Sequence, residues 1–460
     1  MCSGSSSRKT FPAFSPGAPA LKLHGMIPTL RLADPGDRSS VREKLNALRL
    51  DPASVALGQG EDTAAVQAIL ADVARRGDEA VVEQARRFDD PGFTASQIRV
   101  SGDEMAAAAG RVGPELTAAL RRSIAQVREY QAGVMPQAPA ALHRPGVELG
   151  LRFTPLDSAG LYFPGGKASY PSTLIMLAVP AQVAGVKRIA VCSPPSKYGK
   201  TDLVLAACHE LGLTEVFRAG GAAAIAALAF GTQTIPAVDK LVGPGNRYVQ
   251  LAKRALAGCV GIDGFLGPSE ILVLADDSAN PAFIAADLIA QAEHDPGSCF
   301  LLTTSEGLAG AVEAEIRRQS VSLSRARALE RALADSSAII IGPSMDELIE
   351  LANEFAAEHV NIQTNDDAAV LAKLNHAGAV FLGPYSPVAA GDYIAGPSHC
   401  LPTNTTARFS SGISVYEFLK RGSVVRYDKR GLDADAAAII ALARAEGLDG
   451  HAASVAARSL

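Results

Sequence analysis

Between residues 160 and 382 the chain repeats one grammar: a short apolar run, a turn of Gly and Pro, then a stretch with helical spacing. The apolar runs cover 160–163, 188–192, 215–218, 240–242, 271–275, 300–303, 338–341 and 379–382. Strand alternating with helix is the pattern of a parallel sheet joined by crossover helices, so the chain is expected to be α/β. The stretch 263–268 divides the runs four and four, which predicts two sheets rather than one of eight strands. Ligands of such sheets gather beyond the carboxyl ends of the strands.

The flanks read as helical. Val66, Ile69, Leu70, Val73, Val81 and Val82 recur at helical spacing through 61–88, and a second run covers 105–130. The Ala-rich stretch 433–458 is interrupted by Gly447 and Gly450, predicting two helices with a kinked joint. Residues 1–25 hold Arg8, Lys9 and Lys22 but no acid, and lack the apolar run of a secretory signal. A tail or over-extended start upstream of Met26 is the favoured reading and an organellar transit peptide the minor one.

At 460 residues, 48% hydrophobic and 20% charged, the chain is large enough for two domains and too apolar for wholesale disorder. A net charge of -5, 5% aromatics and no Trp argue against a nucleic-acid binder. The uncharged runs 168–186 and 219–238 carry Gly, Pro and polar residues, so no membrane span is expected. Six cysteines without a CxxC suit a reduced, cytoplasmic protein.

Candidate chemistry lies at a few helix ends and turns. After the run 271–275, Asn280 suits a helix N-cap, Pro281 the first turn, and Asp295-Pro296 a stop. The inward stripe through Ile284 and Leu288 continues to Gln291 and His294. These two are either satisfied polar residues or metal ligands; as ligands they would need Asp392 and His451, which lie in glycine-flanked segments. Glu358-His359, closing a helix over 345–357, is either a surface pair or a proton-transfer couple. The turns Pro164-Gly165-Gly166-Lys167, Gly220-Gly221-Ala222 and Gly243-Pro244-Gly245-Asn246 let backbone approach a ligand closely, although none matches GxGxxG or Walker A.

Taken together, the segments resemble histidinol dehydrogenase. They are GLYFPGGKASYPSTLIMLAVPAQVAGV (160–186), GGAAAIAALAFGT (220–232), VGPGNRYVQLAKR (242–254), GPSEILVLAD (267–276), ADLIAQAEHDP (286–296), AAEHVNI (356–362), GDYIAGPSHCLPT (391–403) and AEGLDGHAASV (445–455). They occur in family order, and the resemblance extends over 35–460.

That resemblance implies NAD-dependent oxidation of L-histidinol to L-histidine via histidinal, the last two steps of histidine biosynthesis. It implies one zinc per subunit on Gln291, His294, Asp392 and His451, with Glu358 and His359 as the catalytic acid/base pair. Ser269 and Glu446 would contact substrate together with those six residues, with His399 nearby, and Tyr162 and Asn246 would contact NAD. The implied architecture is two incomplete Rossmann-like domains with parallel-rich sheets, plus small N- and C-terminal extensions in an interlocked homodimer. Glu446 and His451 would then reach the site of the other subunit. The expected division is 1–34 a disordered tail or non-native extension, 35–57 an N-terminal extension, 58–161 with 270–412 a first α/β domain, 162–269 a second, and 413–460 a helical dimer-contact extension.

Three departures accompany the resemblance. Ala223 stands where the family commonly has a Gln that contacts NAD, IDGFLGPSE (262–270) differs from the commoner Asp-Met-x-Ala form, and Cys400 follows His399 where an aliphatic residue is usual. A Cys400 thiohemiacetal is a remote alternative to a thiol acting as apolar filler. A zinc-dependent dehydrogenase of the same fold acting on another small diol or amino alcohol is the alternative function.

Overall fold

The computed structural model describes residues 27–49, 60–165, 170–195, 201–265, 267–294, 297–321, 323 and 326–458. The first 26 residues, Gly166, Lys167, Asp295 and Pro296 lie outside them. The strands are β1 Thr29–Arg31, β2 Leu142–Arg144, β3 Val147–Pro155, β4 Ser158–Tyr162, β5 Arg188–Ser193, β6 Glu215–Arg218, β7 Lys240–Val242, β8 Gly261–Ile262, β9 Ser269–Ala275, β10 Gly297–Thr303, β11 Ala338–Ile341, β12 His359–Gln363, β13 Ala379–Leu382 and β14 Leu419–Tyr427.

The chain forms two compact units. One comprises Met1–Gly58, Leu266–Ala390 and Leu401–Gly412; the other comprises Gln59–Phe265, Gly391–Cys400 and Ile413–Leu460. The division differs from the one expected from sequence, which grouped 58–161 with 270–412. The reason is packing: Val66, Leu70 and Val73 of helix Glu61–Arg76 share one core with Ala223, Ala226 and Ala227 of helix Gly221–Phe230.

In the first unit, six parallel strands run in the order β1-β11-β10-β9-β12-β13. From β9 the chain steps outward to β10 and β11, then returns to β12 and β13 on the other side. That is the reversal of strand order characteristic of doubly wound sheets. Successive residues of β9 face opposite ways. Ile271, Val273 and Ala275 pack beneath helices Pro281–Ala292 and Glu306–Ser320. Leu272 and Leu274 pack beneath helices Pro35–Leu48 and Met345–Phe355.

In the second unit, five parallel strands run β6-β5-β4-β7-β8, with the same reversal beside β4. A separate antiparallel sheet, β14-β3-β2, was not anticipated. Its long strand β14 is exposed over almost its whole length, with Val425 63% accessible. Strand β12 was also missed. His-Val-Asn-Ile-Gln lacks an apolar run because only Val360 and Ile362 meet a hydrophobic core, while His359, Asn361 and Gln363 are buried polar residues.

Helix boundaries follow local chemistry. Gly77, at φ 58, divides the predicted 61–88 helix into Glu61–Arg76 and Asp78–Phe88. The 105–130 run is two helices, Gly102–Arg111 and Pro114–Gly133. The C-terminal pair is Lys429–Ala445 and Asp449–Ala456, broken at Gly447, φ 74, as expected, whereas Gly450 lies inside the second helix rather than interrupting it. Among the described residues, no helix is long and apolar enough to cross a membrane.

Helix Met345–Phe355 is capped by Ser344, whose Oγ accepts the Glu347 N–H at 3.3 Å, and it ends two residues earlier than expected. Ala356 closes it in a left-handed conformation, φ 45, its N–H donating to the Ala352 carbonyl at 2.9 Å. A non-glycine residue there is strained by about 1–2 kcal/mol. Glycine would relieve that strain at a cost of about 0.5–1 kcal/mol in chain entropy and about 0.8 kcal/mol for the buried methyl, so Ala356→Gly should leave stability within about 0.8 kcal/mol. The measurement is the denaturant midpoint; a loss of about 1.3–1.8 kcal/mol, the two costs with no strain relieved, would contradict the strain.

Candidate active site

Strand β12 begins at His359 and lies beside β9, with His359 opposite Ile271. Glu358 thus sits at the amino end of the sheet, next to Ser269 and Glu270 at the start of β9. Its Oε2 accepts the Ser269 hydroxyl at 2.5 Å and the Glu270 N–H at 2.9 Å, and lies 3.4 Å from His359 Nδ1. The carboxyl is 6% exposed. Burial by itself would push its pKa up, but the His359 ring, the Ser269 hydroxyl and the Glu270 N–H outweigh it and hold the carboxyl below its ordinary range.

The same contacts orient His359. Nδ1 lies 3.0 Å from the Glu270 carbonyl, an acceptor only, so the network assigns the Nδ1 proton to that bond. The remaining nitrogen, Nε2, then carries the lone pair of a base. Both partners of Nδ1 are oxygens that welcome a positive ring, which suits an imidazole that gains a proton.

Gln291 and His294 reach this end of the unit by another route. Helix Pro281–Ala292 starts at Asn280, whose Oδ1 accepts the Ala282 N–H at 2.9 Å, with Pro281 in the first turn as expected. It ends just before β10 begins at Gly297. A Cβ on Gly297 would lie 2.6 Å from the Gln291 carbonyl and 3.3 Å from His294 Cβ, so glycine lets the 291–294 turn close onto the strand. Gln291 is 3% exposed and its buried Nε2 has no hydrogen-bond partner among the described residues. His294 is exposed.

The other candidates belong to the second unit. Asp392 lies near the end of short helix Val388–Tyr393 and is half-buried. His399 Nδ1 donates to the Asp392 carbonyl at 2.8 Å, which leaves Nε2 to accept the Thr173 hydroxyl at 3.0 Å. His399 therefore steadies the Asp392 loop. Ser123 Oγ also donates to the Tyr393 carbonyl at 2.6 Å. Cys400 is buried, 4% exposed, as an apolar filler would be. Glu446 and His451, at the two C-terminal helices, are exposed. Among the described residues of a single chain, no three His, Cys, Asp or Glu side chains group as a metal centre.

Tyr162 ends β4, 3% exposed, its hydroxyl accepting the Gly221 N–H at 3.1 Å; burial pushes its pKa up to about 12. Asn246 follows β7 and caps helix Arg247–Leu256, accepting the Tyr248 and Val249 N–H groups at 3.0 and 3.2 Å. Both lie where strand order reverses, at the carboxyl ends of β4 and β7. Ala223 is 2% exposed within helix Gly221–Phe230. Tyr162 and Asn246 thus lie at strand carboxyl ends, whereas Ser269, Glu358 and His359 occupy amino ends.

A histidinol dehydrogenase family model matches residues 56–459. The chain belongs to the histidinol dehydrogenase family. It is 45% identical over 396 residues to the histidinol dehydrogenase of Rhodopirellula baltica, covering 86% of each chain. To that of Geobacillus kaustophilus it is 47% identical over 403 residues, covering 87% of this chain and 95% of the relative. The crystal structure of histidinol dehydrogenase from Elizabethkingia anophelis superposes with a TM-score of 0.87 at 34% identity, covering 94% of this chain and 98% of that one. The α/β fold with parallel sheets is thus that of the histidinol dehydrogenases.

One residue at the site escaped the sequence reading. Glu270 is 1% exposed; Oε1 accepts the Asn404 N–H at 2.8 Å and the buried Oε2 has no hydrogen-bond partner among the described residues. The available signal was a lone acid inside the apolar run SEILVLA. Burial, with the Glu358 charge adding to it, pushes Glu270 up to about 8 against the Asn404 bond. The folded protein then keeps a proton that the unfolded chain releases above about 4.5. Stability should therefore fall as pH rises from that value toward about 8, and Glu270→Gln should flatten the fall. Denaturation of both proteins at several pH values between these limits checks this; parallel slopes would contradict it.

Proposed function

We propose that this chain oxidises L-histidinol to L-histidine through histidinal, using two NAD per turnover at a zinc site shared between two subunits. Membership of the histidinol dehydrogenase family assigns the overall reaction, an oxidation within histidine biosynthesis. The observation that carries the mechanism is the Glu358–His359 pair, a buried carboxylate 3.4 Å from the Nδ1 of a buried imidazole that the Glu270 carbonyl orients.

Gln291, His294, Asp392 and the partner subunit's His451 would hold the zinc. Two imidazoles, a carboxylate and an amide oxygen are borderline-to-hard donors acceptable to that ion. The partnerless amide end of Gln291 fits the assignment, because a half-turn of the terminal torsion puts the carbonyl oxygen there. When bound, zinc supplies a template that accepts the substrate's imidazole nitrogen and amine and keeps the carbinol carbon still. NAD, accepting hydride at each oxidation, would lie against Tyr162 and Asn246. Gly243 fits this: at φ 120 it packs so tightly on β4 that a Cβ would come 1.8 Å from the Tyr162 carbonyl oxygen.

His359 would take the hydroxyl proton at Nε2 in the first oxidation. The resulting charge on the ring is met by Glu358 Oε2 and the Glu270 carbonyl. The aldehyde must gain water before the second oxidation, and Glu358 would orient and activate that water through Oε1 while Oε2 stays bound to Ser269 and Glu270. Glu446, contributed like His451 by the partner, would meet the cationic amine of the substrate. A dimer is supported by the apolar residues left bare on a single chain, among them Val425, Leu442 and Leu448 at 63%, 66% and 42% exposure.

The test is NADH formation on adding L-histidinol to zinc-loaded protein. Two equivalents per substrate are expected, and activity with a different amino alcohol alone would contradict the proposal. His359→Asn should slow both oxidations by about 10²–10⁴-fold, the usual contribution of a general base. Glu358→Gln should chiefly impair oxidation of histidinal. Equal loss in both half-reactions would contradict this division of labour.

A further inference from the structure

The second unit contains an ion pair that the mechanism above does not use. Lys253, on helix Arg247–Leu256, and Asp263, just after β8, pair directly, with side chains 1% and 0% exposed. Taking two charges out of water is costly, and such a pair commonly stabilises a fold no better than apolar residues of the same size. Stability alone is therefore a weak account of this one.

Its other bonds point to a different role. Asp263 Oδ2 accepts the Gly243 N–H at 2.6 Å, and Lys253 Nζ donates to the Gly243 carbonyl at 3.0 Å. Both polar groups of one glycine are thus gripped by the two members of one ion pair. Gly243 opens the turn Gly243-Pro244-Gly245-Asn246, where strand order reverses between β4 and β7. The far end of that turn is tied as well: Asn246 caps the helix that carries Lys253, and a Cβ on Gly245 would lie 2.3 Å from Val249 Cγ1.

We propose that Lys253 and Asp263 are positioning residues for NAD: by clamping the Gly243 peptide they set the path of the 243–246 turn and the place of Asn246. The inference rests on the reading that NAD lies against Asn246. Apolar replacements would fill the same space, yet would leave the Gly243 N–H and carbonyl without partners and free the peptide to rotate.

The test uses the apolar double variant Lys253→Met/Asp263→Leu in the zinc-loaded protein, with Lys253→Met/Asp263→Ala as a second variant should the first fail to fold. NAD binding, KM for NAD, KM for L-histidinol and zinc content are measured. The expected result is NAD binding weakened about tenfold or more, with KM for L-histidinol within about twofold and zinc content unchanged. A folded variant that binds NAD within about twofold of the parent would overturn the clamp. Asn246→Ala, measured alongside, separates the two claims. Weakened NAD binding there and none in the clamp variants overturns the clamp alone; no loss in any of them overturns the cofactor reading as well.

Discussion

A carboxylate withdrawn from water must recover hydrogen bonds from the protein, and at Glu358 that requirement organises one end of a sheet. Its Oε2 accepts the Ser269 hydroxyl and the Glu270 N–H and lies 3.4 Å from His359 Nδ1, whose proton goes to the Glu270 carbonyl. Two of these come from β9 and one from β12, so the contact exists only if those strands lie side by side in the register that sets His359 opposite Ile271. A slip of one residue would turn His359 to the other face. The apolar partners Val360 and Ile362 resist the slip because they fill the core against Leu272, Leu274 and Phe355.

The two units use one topology in opposite ways. In the second, the residues assigned to NAD follow the carboxyl ends of β4 and β7, where glycine-rich turns leave backbone close to the strand. In the first, the buried Glu358–His359 pair lies at the amino end of β12, against Ser269 and Glu270 at the amino end of β9. Helix Pro281–Ala292 runs back from the carboxyl end of β9 and so delivers Gln291 and His294 to the amino end. A strand–helix–strand unit can thus present chemistry at either end, provided that the polar residues are placed in the return turn.

Much of the strand framework was legible because apolar runs between Gly/Pro turns define parallel strands. The runs 215–218, 240–242, 338–341 and 379–382 are observed with the same bounds. Strand β12 was hidden because its alternate residues are polar and still buried. The β14-β3 pairing was hidden because an exposed strand has no apolar alternation to read. At the site, residue types singled out Glu358 and His359 as a surface pair or a proton-transfer couple, but helix periodicity placed them at a helix end, whereas they are buried at the start of a strand. Glu270, Lys253 and Asp263 were unreadable for a shared reason: a charge becomes informative only once its burial and partners are seen, and both depend on contacts distant in sequence.

The central claim is that one active site is built from two chains, with Glu358 and His359 from one and Glu446 and His451 from the other. Mixed dimers test it most directly. His359→Asn and His451→Asn are each expected to be inactive alone. When the two are unfolded and refolded together, half the dimers pair one of each variant, and each such dimer regains one complete site. Turnover should then recover to about a quarter of that of the unmodified protein, as symmetry-related sites require. Mixtures that stay as inactive as the separate variants, although mass analysis shows mixed dimers, would contradict the account.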